Sequence, residues 1–174
     1  MEHKFNADDL FVLEEDTNST FPLNLDFIQN PKLTTAFPGP GLYFLYFKDE
    51  LVYIGFFYPD GDERDARMER MKKEIATISM RGREVVFSQD AFDAHQKCIN
   101  YPIFQGEISQ NGSQTSVNRV NFADKNWNDF KKNDFLCDFT FYWFPEEKNL
   151  GRTRDELEQV TNELRKFYKP TCNG

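Results

Sequence analysis

The sequence contains no long apolar run and no export pattern. No window reaches the roughly 18 to 20 uninterrupted apolar residues that a bilayer span requires. The first residues, Met-Glu-His-Lys-Phe-Asn-Ala-Asp-Asp, lack the basic and then apolar stretches of a secretory signal. We therefore expect a soluble protein that is not exported, that does not contact a membrane and that works in the cytoplasm.

Cysteine and histidine are scarce. The three cysteines, Cys98, Cys137 and Cys172, are odd in number and never form a C-x-x-C pair, so the sequence indicates neither a disulfide framework nor a zinc knuckle. Free buried thiols in a reducing compartment are the simple interpretation. His3 and His95 have no partners at ligand spacing, so we also expect no zinc site.

An excess of positive charge is also missing. The chain has 29 acidic and 21 basic residues and a formal net charge of -8. A polyanion is repelled by such a charge at long range, which argues against a free-standing DNA-binding enzyme. Contacts to phosphates need only a local basic patch, so nucleic-acid binding stays open.

The apolar content is sufficient for one folded domain. Hydrophobic residues make up 39% of the 174 residues and aromatic residues 16%, with nineteen phenylalanines. A disordered chain does not carry so much ring surface. Residues 1–38 show no sustained period, and we interpret them as an irregular N-terminal extension with one short helix. The domain is expected over residues 39–174, with an insertion at about 81–134.

An antiparallel hairpin is predicted at the start of this domain. Residues 37–41 have turn chemistry, and residues 42–47 and 51–56 are aromatic, β-prone runs separated by a short polar break. Apolar residues at spacings of three and four then predict a helix through Met68, Met71, Ile75 and Ile78.

The rest of the chain gives weaker patterns. Ser88 is a candidate cap for a helix over residues 90–97, and residues 108–118 have the composition of a surface loop. Residues 135–144 alternate as a third strand that Pro145 ends, with Phe139, Phe141 and Trp143 on one side. A closing helix that stops near Pro170 is predicted by the spacing of Leu157, Val160, Leu164 and Phe167.

Specific residues stand at the joints of these elements. Pro40-Gly41-Leu42-Tyr43 is followed, after nine residues, by Tyr53-Ile54-Gly55, and the last helix runs into Tyr168-Lys169-Pro170-Thr171-Cys172-Asn173. Over residues 40–80 and 135–173 the chain resembles the GIY-YIG nuclease superfamily, which includes the nicking subunit of excision repair and phage and restriction endonucleases. The resemblance implies an α+β fold with a small antiparallel three-stranded sheet flanked by helices.

The resemblance also implies roles for the two tyrosines. Tyr53 would act as general base or orient the attacking water, and Tyr43 would form hydrogen bonds within the site. The alternative is that two tyrosines of an aromatic hairpin only border the core, with their hydroxyls in water. Gly41 and Gly55 beside them favour the family interpretation.

An arginine of the first helix would contact the scissile phosphate. Arg70 is the first candidate, with Glu74 where the family has histidine or an aromatic residue, and Arg67 is the second. The alternative is an ordinary surface arginine paired with a glutamate four residues away. Lys72 and Lys73 would add backbone phosphate contacts.

Three features depart from the family pattern. The metal-binding glutamate of the family would stand nine residues before Pro170, where this chain has Thr161. Glu158, one helical turn earlier, is the substitute ligand for the implied Mg²⁺ or Mn²⁺. The alternative for Glu158 is a solvent-facing carboxylate. Phe56 replaces the lysine that often follows the second motif, and residues 60–65 form an acidic loop.

Three functions are compatible with these patterns. The first is a metal-dependent DNA endonuclease that hydrolyses phosphodiester bonds with Tyr53, Arg70 and a helix glutamate. The second is a catalytically degenerate protein of the same fold that binds nucleic acid or protein, which agrees better with Thr161 and with the net acidity. The third is an unrelated aromatic α+β domain with an accidental match.

Overall fold

The computed structural model describes residues 3–15, 25–29, 40–59, 64–81, 87–97, 108–109, 114–146 and 151–173. Their elements follow in chain order: β1 (His3–Asn6), α1 (Ala7–Leu10), β2 (Phe11–Glu15), β3 (Leu25–Gln29), β4 (Gly41–Phe47), β5 (Glu50–Phe57), α2 (Arg64–Ser79), β6 (Phe87–Ser88), α3 (Gln89–Gln96), β7 (Ile108–Ser109), α4 (Gln114–Lys125), α5 (Trp127–Phe130), a 3-10 helix (Phe135–Asp138), β8 (Phe139–Pro145) and α6 (Arg154–Tyr168). The expected α+β class is confirmed.

The predicted hairpin is the centre of the main sheet. β4 and β5 pair antiparallel around a turn at Lys48, and β8 pairs antiparallel with the other side of β4. Alternate side chains of β4 and β8 point to one face and are buried there, namely Tyr43, Leu45, Phe47, Phe139, Phe141 and Trp143. This inner face packs on the helices, and it carries both the core and the hairpin tyrosines.

The sheet has four strands and not the expected three. β1 pairs antiparallel with the outer edge of β8, with Phe5 opposite Phe141, so the strand order is β1-β8-β4-β5. Irregular structure was therefore a wrong expectation for the described part of residues 1–38, which forms β1 and the β2–β3 pair, whereas the one short helix expected there is present as α1. A strand of four residues is too short for its alternation to be recognised. The division into residues 1–38 and 39–174 stays a prediction.

Two further expectations need correction. The segment taken as surface loop becomes helical at Gln114, although its first residues are polar. The third strand begins at Phe139, since the four residues before it form the 3-10 helix. Among the confirmed elements, α2 lies where the methionines and isoleucines predict a helix. Ser88 does cap α3, because its hydroxyl accepts a hydrogen bond from the amide of Ala91.

The closing helix α6 is confirmed, with a difference at its end. Thr153 and Glu156 form a reciprocal capping box at its start, and Lys169 ends it in the left-handed conformation just before Pro170. Leu157 is buried as expected, but Phe167 is 78% exposed.

The two described cysteines differ in exposure. Cys137 is exposed and Cys172 is buried, and both thiols are free. Within the described ranges, none of the helices has the length and apolar character to cross a bilayer.

Candidate functional site

The hairpin brings Tyr43 and Tyr53 together on the inner face of the sheet. Tyr43 is paired with Gly55, and Leu45 is paired with Tyr53, so the two tyrosines are diagonal neighbours on adjacent strands. Their ring centroids lie 6.0 Å apart with the planes inclined by 32°. Tyr43 is fully buried and Tyr53 is 7% exposed, so only Tyr53 reaches the boundary of the core.

Gly55 makes this arrangement of rings possible. A Cβ atom at position 55 would lie 2.4 Å from both Cζ and Oη of Tyr43 and 2.8 Å from Cε1 of Tyr53. These distances are far inside van der Waals contact, so any side chain at this position would displace one of the phenols. Gly55 of the second motif is therefore a packing requirement of the tyrosine pair.

Helix α2 adds Arg70 and Glu74, which lie one turn apart on the face that packs on the sheet. The hydroxyl of Tyr43 donates a long hydrogen bond, 3.4 Å, to Oε1 of Glu74. Arg70 is half-buried beside the hydroxyl of Tyr43, and its Cζ lies 5.8 Å from the ring centroid of Phe56. Two tyrosines, an arginine and a buried carboxylate thus share one site.

The other sequence candidates on α2 lie at its margin. Lys72 is largely buried, with Nζ at 3.7 Å from a carboxylate oxygen of Glu69, and Lys73 is exposed. Arg67 belongs to the same helix, but its side chain lies outside the described residues. Lys73 is therefore the described lysine of α2 that is open to a solvent-borne anion.

Arg119 from α4 is the residue that the sequence analysis missed. Its Nη2 donates a 2.5 Å hydrogen bond to Oε2 of Glu74 and its Nη1 donates to the hydroxyl of Thr77. Its Cζ lies 4.8 Å from the centroid of the Tyr53 ring. Val120 and Ala123, both buried at a spacing of three, were the available sign of a helix in this segment. Nothing in the motif pattern marked Arg119.

A third arginine reaches Tyr53 from α6. Nε of Arg165 donates a 2.8 Å hydrogen bond to the carbonyl of Ile54, and its Nη2 lies 3.4 Å from the hydroxyl of Tyr53. Its Cζ is 5.5 Å from the centroid of the Tyr53 ring. Arg119 and Arg165 therefore both contact the Tyr53 ring, and Arg165 is the half-exposed one. The sequence analysis missed this residue as well.

The chain end fixes β5 from the other side. The amide of Ile54 donates to Oδ1 of Asn173 at 2.9 Å, and the amide of Cys172 donates to the carbonyl of Val52 at 2.8 Å. Asn118 of α4 donates in turn to the carbonyl of Asn173 at 2.7 Å. Asn173, the last residue of the sequence pattern, thus holds β5 in place through hydrogen bonds.

Burial is the main cause of the altered pKa values in this site. It raises the pKa of Tyr43 well above its ordinary value, and the Glu74 carboxylate raises it further. Burial also raises the pKa of Tyr53, where Arg119 and Arg165 act in the opposite direction. Burial alone would lower the pKa of Arg119, but Glu74 more than offsets it. At neutral pH both phenols are therefore protonated donors, and Arg119 is charged.

The described side chains fit the implied Mg²⁺ or Mn²⁺ poorly. Thr161 is buried, and its hydroxyl donates to the carbonyl of Leu157 at 2.7 Å, whereas Glu158 is exposed on α6. Glu74 is occupied by Arg119. Within the described ranges, no three His, Cys, Asp or Glu side chains are grouped as metal ligands. The cofactor and the ligand role of Glu158 stay predictions.

An alkaline titration tests the environment of the two phenols. We expect Tyr43 and Tyr53 to stay protonated at about pH 10, where an exposed tyrosine is half ionised. Because their pKa values are raised in the folded state, their contribution to stability is complete below about pH 10 and is lost as the pH rises through the higher folded values. Phenolate absorbance measures the ionisation.

Tyr43→Phe and Tyr53→Phe are the controls of this titration. Each variant should lose absorbance only from the late, high-pH phase. If either variant loses absorbance from the ordinary phase instead, that phenol is not in the environment described.

Comparison of the chain with family models, with curated proteins and with solved structures gives no match. The site itself brings together three arginines, two phenols and one carboxylate.

Proposed function

We propose that this protein binds nucleic acid by contacting backbone phosphates with the cluster of Tyr53, Arg70 and Arg165, and that it does not cleave the bound strand. The observation that carries the proposal is the placement of Arg165. Leu157, Thr161 and Arg165 follow one another at spacings of four on α6, and the last of them reaches the Tyr53 hydroxyl. A guanidinium thus lies one turn beyond the position where the resembled family carries its glutamate.

The charge of the site supports phosphate binding. Arg70, Arg119, Arg165 and the Glu74 carboxylate all act on Tyr53, so three positive charges minus one negative charge give these four groups a charge of +2, in a chain of net charge -8. Arg119 is engaged with Glu74, which leaves the two half-exposed arginines for a ligand. Guanidinium groups match the geometry of phosphate oxygens.

The state of the phenols supports binding over catalysis. With a pKa raised by burial, Tyr53 carries its proton at neutral pH and donates a hydrogen bond to a phosphate oxygen. The same shift makes it a weak general base, because a base must lose its proton near the working pH. A protonated Tyr53 with arginines beside it is therefore suited to bind an anion such as a phosphate group.

Binding of a labelled duplex, measured by fluorescence anisotropy at several salt concentrations, tests this proposal. Arg70→Gln and Arg165→Gln should each weaken binding by about 3- to 10-fold, and each should lower the slope of log affinity against log salt by about 0.9. The matched control is Arg152→Gln, because Arg152 pairs with Glu146 outside the cluster. A parent protein that binds no duplex, or variants that bind like the parent, would refute the proposal.

The second candidate is the metal-dependent endonuclease, and one observation favours it. Tyr43, Tyr53 and Arg70, three of the residues named from the resemblance, lie close together on the inner face. Nicking of supercoiled plasmid in Mg²⁺ or Mn²⁺ that Tyr53→Phe abolishes would establish this function. The binding proposal predicts no nicking with either metal.

A further inference from the structure

The donors of the phosphate-binding cluster, which consists of Tyr53, Arg70 and Arg165, come from three different elements. Tyr53 lies on β5, Arg70 on α2 and Arg165 on α6. Nη2 of Arg165 lies 3.4 Å from the Tyr53 hydroxyl, and the charge of Arg70 acts on the same phenol. Both arginines are half-exposed, but Tyr53 is only 7% exposed. A ligand that reaches all three donors must therefore bring one small anionic group to the recessed hydroxyl.

Contacts within the protein hold both guanidinium groups in position. Nε of Arg165 donates to the carbonyl of Ile54 at 2.8 Å, and its Nη1 donates to Oδ1 of Asn162 at 3.2 Å. Arg70 lies over the ring of Phe56, with Cζ 5.8 Å from the ring centroid. Because the protein already orders these side chains, a ligand loses less free energy in immobilising them.

The charge of the cluster matches a dianion. Arg119 pairs with Glu74, so these two buried charges cancel each other behind the Tyr53 ring. Arg70 and Arg165 then leave two positive charges beside the phenol. A terminal phosphate monoester carries a charge of about -1.5 to -2 at neutral pH, whereas an internal phosphodiester carries a single negative charge.

The number of donors favours the same ligand. The Tyr53 hydroxyl accepts a hydrogen bond from Arg165, and among the described residues it donates its own proton to none. An incoming phosphate thus meets one phenol and two guanidinium groups. A terminal phosphate offers three free oxygens to these donors, whereas an internal phosphate has only two, because its other two oxygens are esterified.

The rest of the chain disfavours contact with a long row of phosphates. Its net charge is -8, and residues 60–65, at the junction between the Tyr53 strand and the Arg70 helix, include four carboxylates and one arginine. A strand that ran across the protein would be repelled by this negative charge at each further phosphate. A strand end concentrates its charge in one group and needs only one local positive site.

We propose that the phosphate-binding cluster recognises the terminal phosphate monoester of a nucleic-acid strand in preference to internal phosphodiesters. Each of the three free oxygens accepts from one member of the cluster, namely Tyr53, Arg70 and Arg165. The inference rests on the function proposed above, since both assign the phosphate contact to the same residues. It adds that a phosphorylated strand end is the preferred ligand.

Anisotropy of one internally labelled duplex in three forms, with hydroxyl ends, with 5′-phosphates or with 3′-phosphates, tests the preference with the full chain. The parent should bind a phosphorylated form roughly tenfold more tightly than the hydroxyl form, the gain expected from one further charge-assisted hydrogen bond. The form that shows the gain identifies the strand end. Equal affinity for all three forms would overturn the inference and leave the proposed function intact, whereas binding of none would refute both.

Variants assign the gain to the cluster. Arg165→Gln and Tyr53→Phe should each reduce the gain to about threefold or less. Lys166→Gln, which removes a positive charge from the neighbouring exposed position of α6, is the matched control and should keep the full gain. Circular dichroism checks that the variants fold, and Arg70→Gln decides the matter should Arg165→Gln unfold. A full gain in the folded arginine variants would overturn the inference.

The pH dependence of the gain tests recognition of the second negative charge. A phosphate monoester takes up its second proton near pH 6, so the gain should fall to about twofold or less at pH 5. The hydroxyl form corrects for titration of the protein, whose histidines lie on β1 and α3, outside the cluster. A constant gain from pH 7.5 to pH 5 would overturn the inference. A phosphoserine peptide that binds as tightly as the phosphorylated duplex would also overturn it.

Discussion

Arg119→Met is expected to lower the free energy of unfolding by about 3 to 5 kcal/mol, the usual cost of removing one partner of a buried ion pair. Arg119 and Glu74 are both more than nine-tenths buried, and two nitrogens of Arg119 donate to Glu74 and to Thr77. Without the guanidinium, the Glu74 carboxylate would stay in the core with the long bond from Tyr43 and the charge of the half-buried Arg70. Urea unfolding followed by circular dichroism measures the loss.

The double variant Arg119→Met and Glu74→Leu is the control that isolates the pair. With both charges removed, most of the stability should return, because well-packed apolar residues can replace a buried pair at little cost. Lys48→Met removes one side of the exposed pair with Asp129 and should have a much smaller effect, since water screens that pair. An Arg119→Met variant as stable as Lys48→Met would contradict the buried pair.

Gly55→Ala is expected to lower the free energy of unfolding by about 3 kcal/mol, at the upper end of the cost of overpacking a core. The added methyl would fall 2.4 Å from Cζ of Tyr43, whose side chain is fully buried. The same variant should weaken duplex binding, since the displaced phenols support the arginine cluster. Urea unfolding and anisotropy measure the two effects.

Tyr43→Ala in the Gly55→Ala background tests the cause of this loss. Tyr43→Ala alone should be costly, because it leaves a large cavity in the core. Adding Gly55→Ala to it should cost little, since the alanine methyl then fills part of that cavity. Additive losses in the double variant would mean that Gly55 acts through something other than its contact with Tyr43.

Local signals in the sequence predicted the centre of the fold. The glycine and proline turn before Gly41, the two aromatic runs and the short polar break specify the hairpin without reference to distant residues. The serine cap of α3 is likewise a property of a few neighbouring residues. Such elements are predictable because their determinants lie within one turn or one strand.

Contacts between distant residues were not predictable. β1 joins the sheet because β8 has a free edge, and its pairing joins Phe5 to Phe141. The burial of Arg119 depends on Glu74, 45 positions earlier in the chain. An arginine in a polar segment is ordinarily exposed, so its role becomes visible only when α4 packs against α2.

The site itself was predictable in part. Tyr43, Tyr53 and Arg70 came from the motif, and the structure places them together. Glu74 was noted only as a departure from the motif, yet it is the carboxylate that joins Tyr43 to Arg119. Arg165 was not predicted, because the apolar spacing that predicts α6 marks other residues of that helix. The nuclease interpretation and its metal stay predictions.

Nuclear magnetic resonance of the arginine Nε–H groups during titration with a short DNA duplex tests the phosphate-binding cluster most directly. We predict saturable shifts at Arg70 and Arg165, whose guanidinium groups are half-exposed beside Tyr53. Arg81, which is buried against the carbonyls of Phe130 and Lys132, should not shift. Shifts confined to other arginines, or no shifts at a duplex concentration that binds, would contradict the assignment.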